Sequence, residues 1–490
     1  MGLWSTKRIA TLQGDQPTAG GALAFRRALG PFDLTALGTG AMIGAGIFVL
    51  AGTAAAQLAG PAVALSFVIA GLGCVFVGLC YAELASMIPA AGSAYTYSYA
   101  AFGELLAWVV GWNLILEYLF GAATVAVSWS GYFVAFLADW GVRLPVSLTQ
   151  APLAAELGWQ IRRVPGATLN VPAMIMVLVI TAILVVGIRA SANLNNVIVV
   201  AKVAIVVAII GFGFAYVSMS NWHPFIPPSG GSFGRFGWSG VVRGAGAVFF
   251  SFIGFDIVST AAQEARNPQR DLPIGILASI AISTTLYVLI ALVMTGLVPY
   301  RDLNAPHPVS VAVAAAGPSL HWLTYLVSVA TVAGLASVVL VLLMGQSRVL
   351  FAMSRDGLMP SALGKMHSRF KTPYVATIIS GVCAAALAAF FPFGLLLDVV
   401  NVGALLAFVA VCGGILVLRY RQPNVMRPFR APWVPVVPIL GALFSVGMLA
   451  SLPTETWNRF AVWVAIGLVI YFLYGARKSE LSRRTAVSAE

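Results

Sequence analysis

Apolar residues come in long blocks of roughly twenty, separated by shorter stretches that hold most of the charge and proline, and a block of that length is what a helix needs to cross about 30 Å of hydrocarbon. About twelve blocks can be counted, beginning near Asp33, Pro61, Glu104, Val171, Asn195, Gly240, Leu272, Ser319, Tyr374, Leu395, Val434 and Trp457. The pattern predicts an all-α membrane protein with about 12 transmembrane helices. Two blocks are interrupted at matching places, the first at Gly38-Thr-Gly-Ala-Met-Ile-Gly-Ala-Gly46 and the sixth at Ser251-Phe-Ile-Gly-Phe-Asp256. Glycines at 44, 46 and 254 invite unwinding, and backbone groups released there cannot face lipid; they must meet protein, water or a ligand. Paired broken helices in the two halves of a chain point to a transporter's binding site, against the alternative that these glycines only permit close packing.

Composition agrees with this class. Of 490 residues, 60% are hydrophobic and 9% charged, too little polar surface for a water-soluble globule of this size. The N-terminus carries Lys7, Arg8, Arg26 and Arg27 but no cleavable signal pattern, so the first helix is expected to be retained. With the N-terminus inside, one face receives Arg189, Arg266, Arg270, Arg355, Lys365, Arg369, Lys371, Arg419, Arg421, Arg427, Arg430, Arg477, Lys478, Arg483 and Arg484. The other receives few, Arg143, Arg162, Arg163, Arg235, Arg301 and Arg459, which predicts cytoplasmic termini. The net charge of +12 is thus a matter of topology, and no basic cluster is interleaved with aromatics as a nucleic-acid groove requires.

Chemistry-bearing residues are sparse. Cys74, Cys80, Cys383 and Cys412 fall inside blocks and show neither disulfide nor metal spacing, and the four histidines, His223, His307, His321 and His367, are isolated in loops or at helix ends. No metal or cofactor is expected. There is no nucleotide-binding motif, so pumping would draw on an ion gradient. The stretch from Leu144 to Asn170 predicts a polar outer loop; Val309 to Ala316 is an apolar segment that could lie on the surface or plug an outer vestibule. Arg355-Asp-Gly-Leu-Met-Pro360 carries stop signals for the eighth helix, and the tail after Arg477 is polar.

Few ionisable residues lie within blocks. Lys202, in Val199-Val-Ala-Lys-Val-Ala-Ile-Val206, is either a fixed cation held against the broken first helix or a lysine snorkelling toward an interface. Glu117 is a candidate proton carrier or a structural hydrogen-bonding group between helices, and Asp256 is a candidate proton carrier or the cap of the half-helix that resumes after Phe255. Glu83 suits an anchor at the inner end of its span, and Asp398 an interfacial or capping residue.

Four runs in this order, Leu29 to Phe48, Ala90 to Tyr97, Phe249 to Asp256 and Glu264 to Pro273, resemble the amino acid, polyamine and organocation transporter superfamily. The chain is similar, from about Leu29 to Tyr474, to bacterial members of its cationic amino acid transporter family. The resemblance implies a 5+5 inverted repeat with broken helices 1 and 6 and two extra C-terminal helices. It implies a cytoplasmic segment 1–30, a single transporter domain 31–475 with repeats at about 31–218 and 238–420 and extra helices 434–475, and a cytoplasmic tail 476–490. It also implies that the amides of Ala45 and Gly46 hold a substrate carboxylate, with Gly44 also among the substrate-binding residues, and that carbonyls near Met42, Ile43, Phe250, Ser251 and Ile253 hold its ammonium. Phe255 would be an aromatic gate, and Lys202 would replace a sodium ion.

One feature departs from the family name. Cationic members offer polar groups from the eighth helix, where this chain has Val338-Val-Leu-Val-Leu-Leu-Met344, with Leu342 the candidate pocket wall. A guanidinium or ammonium buried there would lack a partner. The expected activity is therefore secondary active import of small or apolar neutral L-amino acids by proton symport with alternating access, in a bacterial inner membrane. The alternatives are a sodium-dependent or ion-independent exchanger on the same scaffold, cationic substrates included, and a nontransporting amino acid sensor, against which the lack of an attached signalling domain counts. No nucleophile and base recur at catalytic spacing, so an enzyme is not expected, and the sequence leaves open whether a small membrane subunit attends the chain.

Overall fold

A computed structural model describes residues 4–7, 9, 27–155, 161–231, 233–305, 307–317, 320–452 and 454–480. Arg8, Arg26, Arg483 and Arg484 lie outside the described residues, as do the side chains of Arg189, His321 and Asp398. The chain is built from helices α1 (Pro31–Met42), α2 (Ala51–Ala54, between π turns Gly46–Leu50 and Ala55–Ala59), α3 (Val63–Met87), α4 (Ala94–Ala101) and α5 (Glu104–Asp139). There follow α6 (Val171–Val186), α7 (Ile188–Phe214), α8 (Gly237–Val248), α9 (Ile257–Thr260), α10 (Pro268–Leu297) and α11 (Pro308–Ala315). The last are α12 (His321–Arg355), α13 (Tyr374–Phe390), α14 (Phe393–Arg421), α15 (Val436–Ala450) and α16 (Thr454–Ile470). One two-stranded hairpin, Leu153–Ala155 against Ile161–Arg163, occupies the polar loop after α5.

Among the described residues, eight helical stretches are long and apolar enough to cross a membrane, and three shorter apolar helices, α6, α13 and α15, accompany them. The protein is an all-α, multi-pass membrane protein. Helix starts follow local chemistry: Asp33 Oδ2 accepts the Gly30 N–H at 2.8 Å, Asn170 Oδ1 accepts the Ala173 N–H at 3.2 Å, and Pro31 and Pro268 occupy first-turn positions where a missing N–H costs nothing. Helix α7 starts at Ile188, seven residues before the apolar block suggested, and the polar residues that open the block are bound to α1. Asn196 Nδ2 donates to Asp33 Oδ1 at 2.6 Å, and Asn195 Nδ2 to the Ala36 carbonyl at 3.3 Å.

Helices α1 and α3 both pack on α10, and α12 and α14 both pack on α5. Leu29 pairs with Ala265 in a single parallel bridge, so the start of α1 is tied to the segment following α9. Helix α11 does not simply lie on the surface: Val309, Ala312 and Val313 are buried, and Gly52 meets Pro308 so closely that a side chain there would overlap it.

The arginine-rich end is organised around buried acids. Glu83 of α3 accepts from Arg419 at 2.7 Å and from the Ala431 N–H at 2.7 Å and pairs with Arg427 at 3.2 Å, which pins the loop after α14 to α3. Glu104 accepts from Tyr99, Tyr471 and Ser479, tying down the C-terminal segment, and Asp356 accepts from Lys7 and Tyr95 at 2.9 and 2.7 Å. Replacing Glu83 by alanine leaves the almost fully buried Arg427 without its counter-charge. The variant is expected to lose roughly 3–5 kcal/mol of stability, the scale for breaking a buried pair by removing one partner. Thermal unfolding in detergent checks it; an unchanged midpoint would show that water replaces Glu83 at little cost.

Candidate functional site

Each break exposes backbone at the centre of the helix packing. Helix α1 ends at Met42, and Ile43 turns into an extended conformation (φ −75°, ψ 90°). The Gly44 carbonyl accepts from Ile47 and Phe48 as the chain recoils, while the amides of Gly44, Ala45 and Gly46 have no backbone acceptor among the described residues. Three adjacent N–H groups at the start of a helical turn form a concavity suited to an anion. In the second break a tight turn at Phe249–Phe252 ends helix α8, Ile253 is extended, and Gly254 has φ 126°, which only glycine adopts without strain.

The two breaks touch. A side chain on Gly46 would collide with Ser251, and one on Gly254 would meet Ala41, so the segments approach at backbone distance. A Cβ on Gly44 would lie 2.7 Å from Val338 Cγ2 of α12. Ser251 Oγ and Thr39 Oγ1 are buried with no hydrogen-bond partner among the described residues.

The carbonyl side is partly committed. Lys202, 1% exposed on α7, donates from Nζ to the Gly40 carbonyl at 2.7 Å, the Ile43 carbonyl at 2.8 Å and Ser337 Oγ at 3.0 Å. A charge with three acceptors at the end of α1, where carbonyls gather negative potential, is a fixed cation and not a snorkelling lysine. The Ser251 carbonyl accepts from Tyr287 OH at 2.8 Å and the Phe250 carbonyl from the Ile253 N–H at 3.2 Å, while the Met42 and Ile253 carbonyls accept no hydrogen bond among the described residues.

Acidic groups gather beside the second break. Asp256 holds it through Oδ1, which accepts the Gly254 N–H at 3.2 Å, and Oδ2 accepts from Tyr118 OH; no side-chain bond reaches the first turn of α9, so it does not act as a simple cap. Glu117, fully buried on α5, has no hydrogen-bond partner on either carboxyl oxygen among the described residues, so the structural bridge weighed for it is not formed. Phe255 packs with Tyr81 and Phe408, ring centroids 5.7 and 5.1 Å away, on the side of α3 and α14.

Leu342 is 3% exposed and faces Gly121, whose Cβ would stand 3.5 Å from Leu342 Cδ1 and 3.8 Å from Val400 Cγ1 of α14. Val338, Gly121 and Val400 were not singled out from the sequence. A signal existed for Val338 alone, the spacing Gly334, Val338, Leu342, Gly345, one face of a helix that meets Lys202, Gly44 and Tyr118 in turn. Two ties flank the site. Arg348 of α12 bonds Glu264 at 2.6 Å toward the arginine-rich end, where burial raises the Glu264 carboxyl and Arg348 opposes the shift. At the other end Tyr132 OH donates to the Phe48 carbonyl at 2.9 Å.

Residues 29–473 match the family described as amino acid permease. The chain is 44% identical over 480 residues to the branched-chain amino acid permease BcaP of Bacillus subtilis, covering 98% of this chain and 99% of the relative. It is also 44% identical over 481 residues to a methylthioribose transporter of the same organism, with 98% and 99% covered, and 40% identical over 400 residues to the vacuolar cationic amino acid transporter 2 of Arabidopsis thaliana, with 81% and 60% covered. With two facing helix breaks and a lysine fixed against the first of them, the chain belongs to the amino acid permease family of the amino acid, polyamine and organocation transporter superfamily.

Proposed function

We propose that this protein is a secondary transporter that imports a neutral, apolar L-amino acid together with a proton by alternating access. The observation that carries the reading is the meeting of the two breaks: free amides at Gly44, Ala45 and Gly46 suit a carboxylate, and the Met42 and Ile253 carbonyls opposite suit an ammonium. Val338, Leu342 and Val400, with Gly121 packed against the last two, form an aliphatic wall for the side chain, and Phe255 closes the site toward α3 and α14. Lys202 does by charge what a bound sodium ion would do, and Glu117 and Asp256 are the carboxyl groups placed to take up the coupling proton.

Counting the stretch Pro31–Met87 as two crossings and adding the three shorter helices gives twelve spans. We read them as inverted repeats at about 31–218 and 238–420 followed by two further helices, in a single domain 31–475. The arginine-rich end is the cytoplasmic one, which places both termini inside a bacterial inner membrane. On this reading Glu264–Arg348 is the inner tie and Tyr132–Phe48 the outer one, and they part alternately.

A second reading is favoured by the methylthioribose-transporting relative, whose identity equals that of the branched-chain permease. An uncharged thiosugar would leave the amides of the first break without an anion. Counterflow in proteoliposomes decides between them: leucine, valine or alanine should exchange with labelled substrate, and arginine, lysine and methylthioribose should not. Exchange of methylthioribose alone would overturn the amino acid reading.

Lys202→Ala should insert normally yet lower proton-driven uptake at least about tenfold, since it removes bonds of which one alone, charge-assisted, is worth roughly 1.5–3 kcal/mol. Undiminished uptake driven by a pH gradient would take Lys202 out of the mechanism. Gly46→Val should reach the membrane and bind nothing, because its side chain falls on Ser251; retained affinity, measured by thermal shift with substrate, would make the break a packing feature only. Leu342→Ser should weaken binding of a leucine-sized substrate by roughly 1–3 kcal/mol while admitting longer or cationic ones. An unchanged competition profile would place Leu342 off the pocket face.

A further inference from the structure

A cleft of about 660 Å³ opens at the arginine-rich end between the first turns of α10 and the loop after α14. It is amphipathic in a definite direction. Its rim carries Asn267, Gln269 and Arg270, and its wall carries Pro273, Ile274, Leu277 and Ala278 of α10 with Phe429 facing them. Ile274, 40% exposed, continues along α10 into Ile282 and Leu289, 38% and 39% exposed, a stripe at seven- and eight-residue spacing that looks outward into lipid. The apolar wall therefore leads from the polar rim to the hydrocarbon.

The charge at the rim is uncompensated. Arg270 is exposed, and its guanidinium has no hydrogen bond or ion pair among the described residues. Arg430, beside Phe429, is also exposed. Arg419 and Arg427, nearby on α14 and the loop after it, are committed to Glu83 and cannot serve the cleft, and Arg266 Nε donates to the Ala28 carbonyl. Asp271, next to Arg270, is 5% exposed and turned back onto the Asn267 N–H at 3.2 Å, so no acid on the rim repels an anion.

We propose that this cleft binds one anionic phospholipid of the adjoining leaflet, its phosphate against Arg270 and an acyl chain along Ile274, Leu277 and Ala278. An amphiphile with a negative head meets both halves of the lining, which a free phosphate or a neutral lipid does not. The inference rests on reading the arginine-rich end as lying at the membrane surface. Because one wall belongs to α10, which packs on α1, and the other to a loop pinned to α3 by Glu83, a lipid held here bridges two separate elements of the fold.

The full chain, purified and delipidated in detergent, should rise several degrees in unfolding temperature with phosphatidylglycerol and retain one such lipid in native mass spectrometry. Phosphatidylcholine, inorganic phosphate and glycerol 3-phosphate should give neither effect. Arg270→Gln, at an exposed site, should keep the lipid-free midpoint and lose at least half of the phosphatidylglycerol shift; Ala278→Trp, which fills the wall, should lose the retained lipid. The proposal is overturned if both variants keep the full shift and the bound lipid, if inorganic phosphate reproduces the shift, or if phosphatidylcholine does so equally. The readout is lipid binding, so a failed transport assay leaves it standing, and a lost lipid site leaves the substrate site standing.

Discussion

Backbone polarity in a medium without water is the constraint on which the rest depends. An unwound stretch inside hydrocarbon costs several kcal/mol for each unsatisfied group. This chain accepts two such stretches at one depth and presses them together, Gly46 against Ser251 and Gly254 against Ala41. Part of the exposed polarity is satisfied within the fold by Lys202, Tyr287 and Asp256. What is left over among the described residues is specific: three amides and the Met42 carbonyl in the first break, the Ile253 carbonyl in the second, and the hydroxyls of Ser251 and Thr39. On the proposed reading, these unsatisfied polar groups and the aliphatic side chains around them are the complement of a small zwitterion.

Lys202 ties three elements together, since its ammonium reaches two carbonyls of the α1 break and the hydroxyl of Ser337 on α12. A charge lodged among carbonyls holds the broken end of α1 against α7 and α12 only while it is charged. The carboxyl groups of Glu117 and Asp256 lie on the far side of the site, on α5 and beside α9, so the two breaks are flanked by titratable groups of opposite sign. Opposed polarity of this kind suits a site whose occupancy and protonation are to be read together.

Much of this was legible in the sequence because it is local. Glycines at 44, 46 and 254 announce the breaks, the apolar blocks announce the helices, and the one lysine mid-block announces its need for acceptors. What was not legible depends on partners far apart in the chain. Nothing near Gly121 shows that it will stand opposite Leu342 and Val400, and nothing near Ser251 shows that Tyr287 will take its carbonyl. The start of α7 was placed late because the polar run ahead of Asn195 reads as loop, although it continues the helix from Ile188. Glu117 shows the same limit in reverse: the sequence suggests a partner, and the described structure supplies none.

The central claim is that the facing breaks recognise an α-amino acid through both of its charged groups. Competition against labelled leucine, in proteoliposomes, by three compounds of one side-chain shape tests it most directly: leucine itself, leucinol, which lacks the carboxylate, and 4-methylpentanoate, which lacks the ammonium. The account predicts that leucine competes fully and that each of the others loses at least about a hundredfold, because a buried charge-binding group left without its ion forfeits roughly 3 kcal/mol. Equal competition by leucinol or by 4-methylpentanoate would show that one of the two breaks does not hold the substrate.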